Sequence, residues 1–389
     1  MAIGAAVRDA LLVLALAPLA YYLLASLAAA RFFHDARRKA PANEDFTPSI
    51  SILKPIRGLD RETYENYASF CRQDYPAFEI LFSVSDASDP AIPEIERVIR
   101  DFPSCPIRLL IGAKPVGASD KVNKLCRMTA EARHEILVIS DSDVRVDPGF
   151  LRSIASQFGD PRVGGVTCLY RGLAENFAAT LEALGNTGDF APGVLVARLF
   201  GEIDFMLGAV MATTKTQLAA IGGFEALADY LSDDYELGHR IAKSGKSVVL
   251  SSFPVSIVYP REKLVEAFRH QLRWNLCIRY SRPWGHFGLL FTHGLPWAIV
   301  GAALAPSAAM AGGYLGGYLV LRCAMALTVG VLGMQDETMR RWWRLLPLRD
   351  LFAFAVWIAS FFPQRIRWRD REYYVRDKRL VPVEPQSRT

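Results

Sequence analysis

Residues 135–143 read Glu135-Ile136-Leu137-Val138-Ile139-Ser140-Asp141-Ser142-Asp143, a short apolar strand that runs straight into two carboxylates one residue apart. Side chains two apart on an extended segment point the same way, so both acids can meet one ligand. Hard cations such as Mg2+ and Mn2+ prefer oxygen ligands, usually one or two carboxylates plus substrate phosphates. A pair of this kind is also common in surface turns, and the apolar strand ahead of it is what favours a site. An ion held by Asp141 and Asp143 would bridge the diphosphate of a nucleotide, which points to sugar-nucleotide chemistry.

Working outward, strand patterns occur at 49–53, 79–84 and 107–111 as well as 135–140, with helical patterns at 61–71, 92–100 and 121–132 between them. That alternation predicts one α/β domain with a Rossmann-like, mostly parallel sheet and right-handed crossovers. Ligands on such sheets sit beyond the carboxyl ends of the strands. Asp86 follows the second strand and has two readings, a contact to the base or ribose of a nucleotide or a turn cap in Asp86-Ala87-Ser88-Asp89-Pro90. Farther on come a strand at 208–213, a turn at Gly222-Gly223-Phe224, and a helix opened by Ser232-Asp233-Asp234-Tyr235 and running to 244. Asp233 fits an N-cap, whereas Asp234, one residue in, has less structural reason to be there and is the candidate base. Residues 262–278 form an amphipathic helix with Phe268, Leu272 and Leu276 among Arg269, His270, Gln271 and Arg273, suited to a membrane surface. Arg273 and Trp274 are candidates to serve the leaving diphosphate and the acceptor opening.

The 389 residues are 51% hydrophobic, and the excess collects at the two ends. Residues 10–30 are uncharged, apolar and long enough to span a bilayer. Arg31, Arg37, Arg38 and Lys39 follow, which puts that end and the domain behind it in the cytoplasm. A cleaved signal ending at the small residues 28–30 fits less well, because the basic flank lies on the far side of the run. Spans are expected at 287–304 and 308–334, with Arg322 in the second facing protein, water or a headgroup. The stretch 351–362 is short for a span and basic on both flanks (Arg340, Arg341, Arg344 and Arg349 before; Arg365, Arg367, Arg369 and Arg371 after), which favours re-entry. The net charge of +5 is small for this length. The arginine clusters with Trp342, Trp343 and Trp368 read as an interfacial anchor and not as a nucleic-acid patch. Six scattered cysteines without a C-x-x-C pair indicate reduced thiols, and the six histidines show no metal spacing.

The ordered set Asp86, Asp141-x-Asp143, Asp234 and His270-x-x-Arg273-Trp274 resembles inverting glycosyltransferases of the GT-A fold. The surrounding text is most similar to ceramide glucosyltransferase-like proteins (family 21, family-2-type), including the bacterial branch associated with hopanoid lipid biosynthesis. Supporting stretches are Leu53-Lys54-Pro55, residues 69–75 (SFCRQDY), Lys121-Val122-Asn123-Lys124 and Ser232-Asp233-Asp234-Tyr235. The resemblance implies that Asp86 contacts the nucleotide, that Asp141 and Asp143 hold Mg2+ or Mn2+, and that Asp234 is the catalytic base. It also implies that Arg273 and Trp274 serve pyrophosphate and acceptor, and that Lys54, Pro55, Lys121, Asn123, Asp141, Asp233 and His270 line the substrate site. His270 departs from the pattern, which usually carries Gln or Arg at that position.

The expected organisation is an anchor with its basic flank (1–40), the catalytic domain (41–260), an interfacial helix (261–284) and a C-terminal membrane region with a basic tail (285–389). The expected activity is inverting transfer of one sugar from UDP-glucose or UDP-N-acetylglucosamine to a lipid hydroxyl, ceramide or a hopanoid polyol. The setting is the cytoplasmic face of a bacterial inner membrane. A processive polysaccharide synthase shares these motifs but needs more spans for a polymer channel. A non-catalytic nucleotide-sugar-binding protein would not need every acid the chemistry uses. The sequence leaves the oligomeric state open.

Overall fold

The computed structural model of the chain describes residues 2–38, 46–362, 366–368 and 371–382. Lys39, Arg365 and Arg369 of the expected basic flanks lie outside the described residues, and of Arg367, Trp368 and Arg371 only the backbone is described. Two compact units result, one from Met1–Arg37, Arg171–Gly201 and Arg261–Pro363, the other from Arg38–Tyr170, Glu202–Pro260 and Gln364–Thr389. Residues 171–201, expected within the catalytic segment, therefore pack with the terminal helices instead.

The second unit is built on an eight-stranded sheet: β1 Ile50–Pro55, β2 Phe78–Val84, β3 Ile107–Ile111, β4 Ile136–Ser140, β5 Val144–Arg145, β6 Val163–Leu173, β7 Val210–Thr214 and β8 Ser247–Val258. The spatial order is β3-β2-β1-β4-β7-β6-β8-β5. One half is the parallel core, with Ile52 opposite both Ile80 and Val138. These strands are apolar on both faces because helices cover both, and Ile50, Ile52, Leu53, Ile80, Leu81, Phe82, Leu137, Val138 and Ile139 are fully buried. The other half is antiparallel: β7 runs against β4 and β6, and the two-residue β5 runs against β8. β6 and β8, the longest strands, have no counterpart in the sequence reading. Three further strands, β9 Ile366–Trp368, β10 Arg371–Arg376 and β11 Arg379–Pro382, form a small antiparallel sheet.

The first unit is helical. The stretches Gly4–Arg38 and Ala308–Gly333 are long and apolar enough to cross a membrane, which marks a membrane protein. The span expected at 287–304 is a pair, Pro283–Thr292 and Gly294–Leu304, apolar enough together for one span but bent by 51°. Pro296 sits in the first turn of the second helix, where its missing N–H is tolerated. The Tyr22 hydroxyl bridges the break, accepting from Gly294 N (3.0 Å) and donating to Thr292 O (3.3 Å).

Arg322, expected to avoid lipid, is buried among protein partners. It donates to both Asp350 oxygens (Nη2 to Oδ1 2.7 Å, Nε to Oδ2 3.1 Å), to Asp189 Oδ1 (2.6 Å) and to Gly188 O (2.7 Å). Tyr318 donates to Asp350 (2.8 Å), while Arg349 ties Asp189 (2.8 Å) to Gln271 (3.0 Å). A buried guanidinium persists only when its donors are met in this way.

Candidate active site

Asp141, Ser142 and Asp143 occupy the turn between β4 and β5, and backbone bonds hold it on both sides. Asp141 N donates to Ala209 O (3.2 Å), and Val258 N donates to Asp143 O (3.0 Å). The acids are thus placed at the carboxyl end of the central parallel strand by two antiparallel neighbours.

Two lysines flank them. Lys54, fully buried near the end of β1, donates to the Asp141 carbonyl (2.8 Å) and to Ser140 Oγ (3.2 Å), with its ammonium 3.9 Å from the centre of the Phe70 ring. Burial pushes it down to about 7, against the pull of Asp143 and Asp141. Lys121, in the first turn of the helix Asp120–Glu131, lies 2.6 Å from Asp141 Oδ1 and 3.9 Å from Asp233 Oδ2. Burial works against its charge, but Asp141 and Asp233 hold it above its ordinary value. Burial, then Asp141 and Asp60, push the Asp143 carboxyl up to about 7.

The helix Asp233–Lys243 starts one residue earlier than an Asp233 N-cap requires: Ser232 is the flanking residue and makes no side-chain cap. Asp233 is freed from capping and faces Lys121. Asp234 is half-buried, and its Oδ1 accepts from Tyr235 N (2.7 Å). Burial, then Asp233, push its carboxyl up to about 6, with Lys121 pulling the other way. Two glycines make room. A Cβ on Gly208 would stand 3.0 Å from Asp234 Oδ2, and one on Gly238 would run into the backbone of Phe205 and Met206. The β10–β11 hairpin fixes the segment ahead of Asp234, with Leu231 N donating to Lys378 O (3.0 Å) and Leu380 N to Asp229 O (2.8 Å).

The structure therefore brings together Lys54, Lys121, Asp141, Asp143, Asp233 and Asp234. Pro55 closes β1, fully within the core. Asp86 is exposed and shows its capping geometry, accepting from Ser88 N (2.8 Å) and from the Ser88 hydroxyl, bonds that hold its carboxyl below the usual range. Asn123 spends its amide on the preceding loop, accepting from Val116 N (2.9 Å) and Gly117 N (3.1 Å) and donating to Gly117 O (3.1 Å). That loop borders a cavity of about 440 Å³ beyond the end of β3, lined also by Lys114 and Arg127. Sequence reasoning missed Asp120, which accepts from Ser85 (2.7 Å) and Lys124 (2.6 Å). The available signal was Ser119, the N-cap just before it.

Arg273 and Trp274 belong to the other unit, on the helix Leu264–Ser281, with His270 one turn earlier and its ring 4.5 Å from that of Trp274. His270 Nδ1 lies 2.6 Å from Glu182 Oε1. Burial, then Arg273, push the imidazole down to about 4, which keeps it neutral. Glu262 is pushed up to about 8 by burial and by Glu182.

The profile of glycosyl transferase family 21 matches residues 10–381. The chain belongs to that family. Among curated relatives it is 29% identical over 209 residues to ceramide glucosyltransferase 1 of Caenorhabditis elegans, covering 53% of this chain and 45% of the relative. It is 32% identical over 147 residues to the ceramide glucosyltransferase of Komagataella phaffii, covering 36% and 29%. The chain thus spans less than half the length of these curated relatives. Among solved structures, a mannosyltransferase from Pyrobaculum calidifontis in complex with GDP-Man and Mn2+ aligns with a TM-score of 0.51 at 17% identity, over 90% of this chain and 99% of that one. At that identity the likeness shows the fold, which is of the GT-A type.

Proposed function

We infer that the chain transfers a single sugar, with inversion, from a UDP-sugar to the hydroxyl of a membrane lipid at the cytoplasmic leaflet. The observation that carries this reading is Asp234, a half-buried carboxyl pushed up to about 6 beside Lys121 and the Asp141–Asp143 turn. A carboxylate poised near neutrality suits general-base work. Asp234 takes the proton of the acceptor hydroxyl as its oxygen bonds to the anomeric carbon. The bond from that carbon to the diphosphate oxygen breaks on the opposite face, so an α-linked donor gives a β-glycoside.

Asp141 and Asp143 fit a divalent Mg2+ or Mn2+: both are oxygen donors, and Asp143 is pushed up by burial and by Asp141, a crowding of negative charge that a cation relieves. Such an ion supplies charge stabilisation to the departing diphosphate. Lys121 adds positive charge to the leaving group, and Asp233 orients Lys121. The basic residues Arg31, Arg37 and Arg38 in the C-terminal turns of the first helix support the cytoplasmic placement. The membrane helices support a lipid acceptor and the named relatives support ceramide, while a hopanoid polyol rests on the sequence resemblance alone.

The test is transfer of radiolabelled sugar from UDP-glucose and from UDP-N-acetylglucosamine into a lipid extract by the purified chain, with and without Mn2+. A metal-dependent single-sugar lipid that disappears with Asp234→Asn is expected. A polymeric product, or undiminished product from Asp234→Asn, would overturn the assignment.

A further inference from the structure

Glu182 lies on the helix Phe177–Gly185, Glu262 just ahead of the helix Leu264–Ser281, and His270 on that helix, all within the helical unit. One ligand atom from each comes within 4.8 Å of the other two. Glu182 is fully buried, yet neither of its carboxylate oxygens receives a hydrogen bond, and Glu262 Oε1 has none either. The Gln271 amide and the Glu262 carboxyl lie against Glu182, and His270 Nδ1 stands 2.6 Å away. A fully buried carboxylate facing a half-buried one needs something positive between them.

We propose that Glu182, Glu262 and His270 bind a divalent transition-metal ion. One imidazole with two carboxylates is a donor set for Zn2+, Mn2+ or Fe2+, and is softer than the all-oxygen pair Asp141 and Asp143. Ligands around such an ion, at bonds of about 2.0–2.2 Å, stand roughly 3–4 Å apart, so side-chain movements of about an ångström complete the site. The Trp274 ring, 4.5 Å from His270, holds the imidazole in place. His270 is also the residue that departs from the family-like pattern, and of the three residue types involved only histidine among His, Gln and Arg is a common metal ligand. The ion would brace the start of the helix that carries Arg273 and Trp274. The site stands independently of the proposed transfer reaction.

The experiment uses the full chain in detergent, stripped with EDTA and titrated with Co2+ alone, without donor or lipid. Bound metal is counted after desalting, and the visible absorption of Co2+ is recorded. An Asp141→Asn/Asp143→Asn variant is expected to retain one Co2+ with a visible band. Glu262→Gln and His270→Asn, both at partly exposed positions, are each expected to weaken that binding by at least about tenfold. Glu182→Gln is compared by size exclusion and circular dichroism to confirm folding. The proposal is overturned if the Asp141→Asn/Asp143→Asn protein holds no Co2+, which would leave the three side chains sharing a proton. It is equally overturned if Glu262→Gln and His270→Asn both bind as tightly as the parent.

Discussion

Raising the Asp234 carboxyl from 3.8 to about 6 costs its charged form about 3 kcal/mol relative to water. A base must be unprotonated to act, so turnover should rise with pH through this value. About one molecule in eleven is competent at pH 5, half at pH 6 and about ten in eleven at pH 7. Asp233 is the second cause of the elevation after burial. Asp233→Asn keeps the size of the side chain and removes the charge, so the acid limb should move to lower pH while Lys121 stays paired with Asp141 at 2.6 Å. The assay is kcat for sugar transfer between pH 4.5 and 8, at saturating donor and Mn2+ so that the titration of Asp143 is suppressed. An acid limb at the same pH in Asp233→Asn, or flat turnover between pH 5 and 7, would sink the assignment of Asp234 as base.

Three other outcomes are expected. Because Asp143 titrates near 7 and must lose its proton to bind a cation, Mn2+ affinity measured by electron paramagnetic resonance should fall about tenfold per pH unit below 7, a slope Asp143→Asn abolishes. Gly238→Ala should drive the Asp234 helix away from Phe205 and Met206, lowering stability by about 1–3 kcal/mol and turnover by about a hundredfold in a protein that still folds. Asp350→Ala removes the bidentate partner of Arg322, leaving it only Asp189 and Gly188 O, and should cost about 3–5 kcal/mol in thermal unfolding, whereas Arg322→Met combined with Asp350→Leu should recover most of it.

The parallel core was legible because its strands announce themselves as apolar runs: 107–111 matches β3, and 135–140 begins one residue before β4. β3 lies between two recognisable helices, and β4 follows one. β6 and β8 escaped because Gly164, Gly165, Ser251 and Ser252 break the apolar pattern, and their pairing is set by partners distant in the sequence. Asp141 and Asp143 could be placed from the strand they end, but the position of Lys121 against Asp141 and Asp233 depends on three separate segments. Glu182 gave no local signal, since an acid in an Ala-Leu-rich helix gains its meaning only from Glu262 and His270 in a distant segment. The bend at 293 was the opposite case, written in Gly294-Leu295-Pro296 and overlooked within a hydrophobic average.

The pairing of Arg322 with Asp350 bears on how the protein is made. The helix Ala308–Gly333 leaves the ribosome before Asp350, which follows Arg322 by 28 residues. A lone arginine near mid-helix disfavours insertion by about 2.5–3.5 kcal/mol. Asp189 is already synthesised by then, but the bidentate partner is not. The helix Leu346–Ala359 should therefore strengthen integration of this segment, and a nascent chain halted between the two should be less firmly committed to the bilayer.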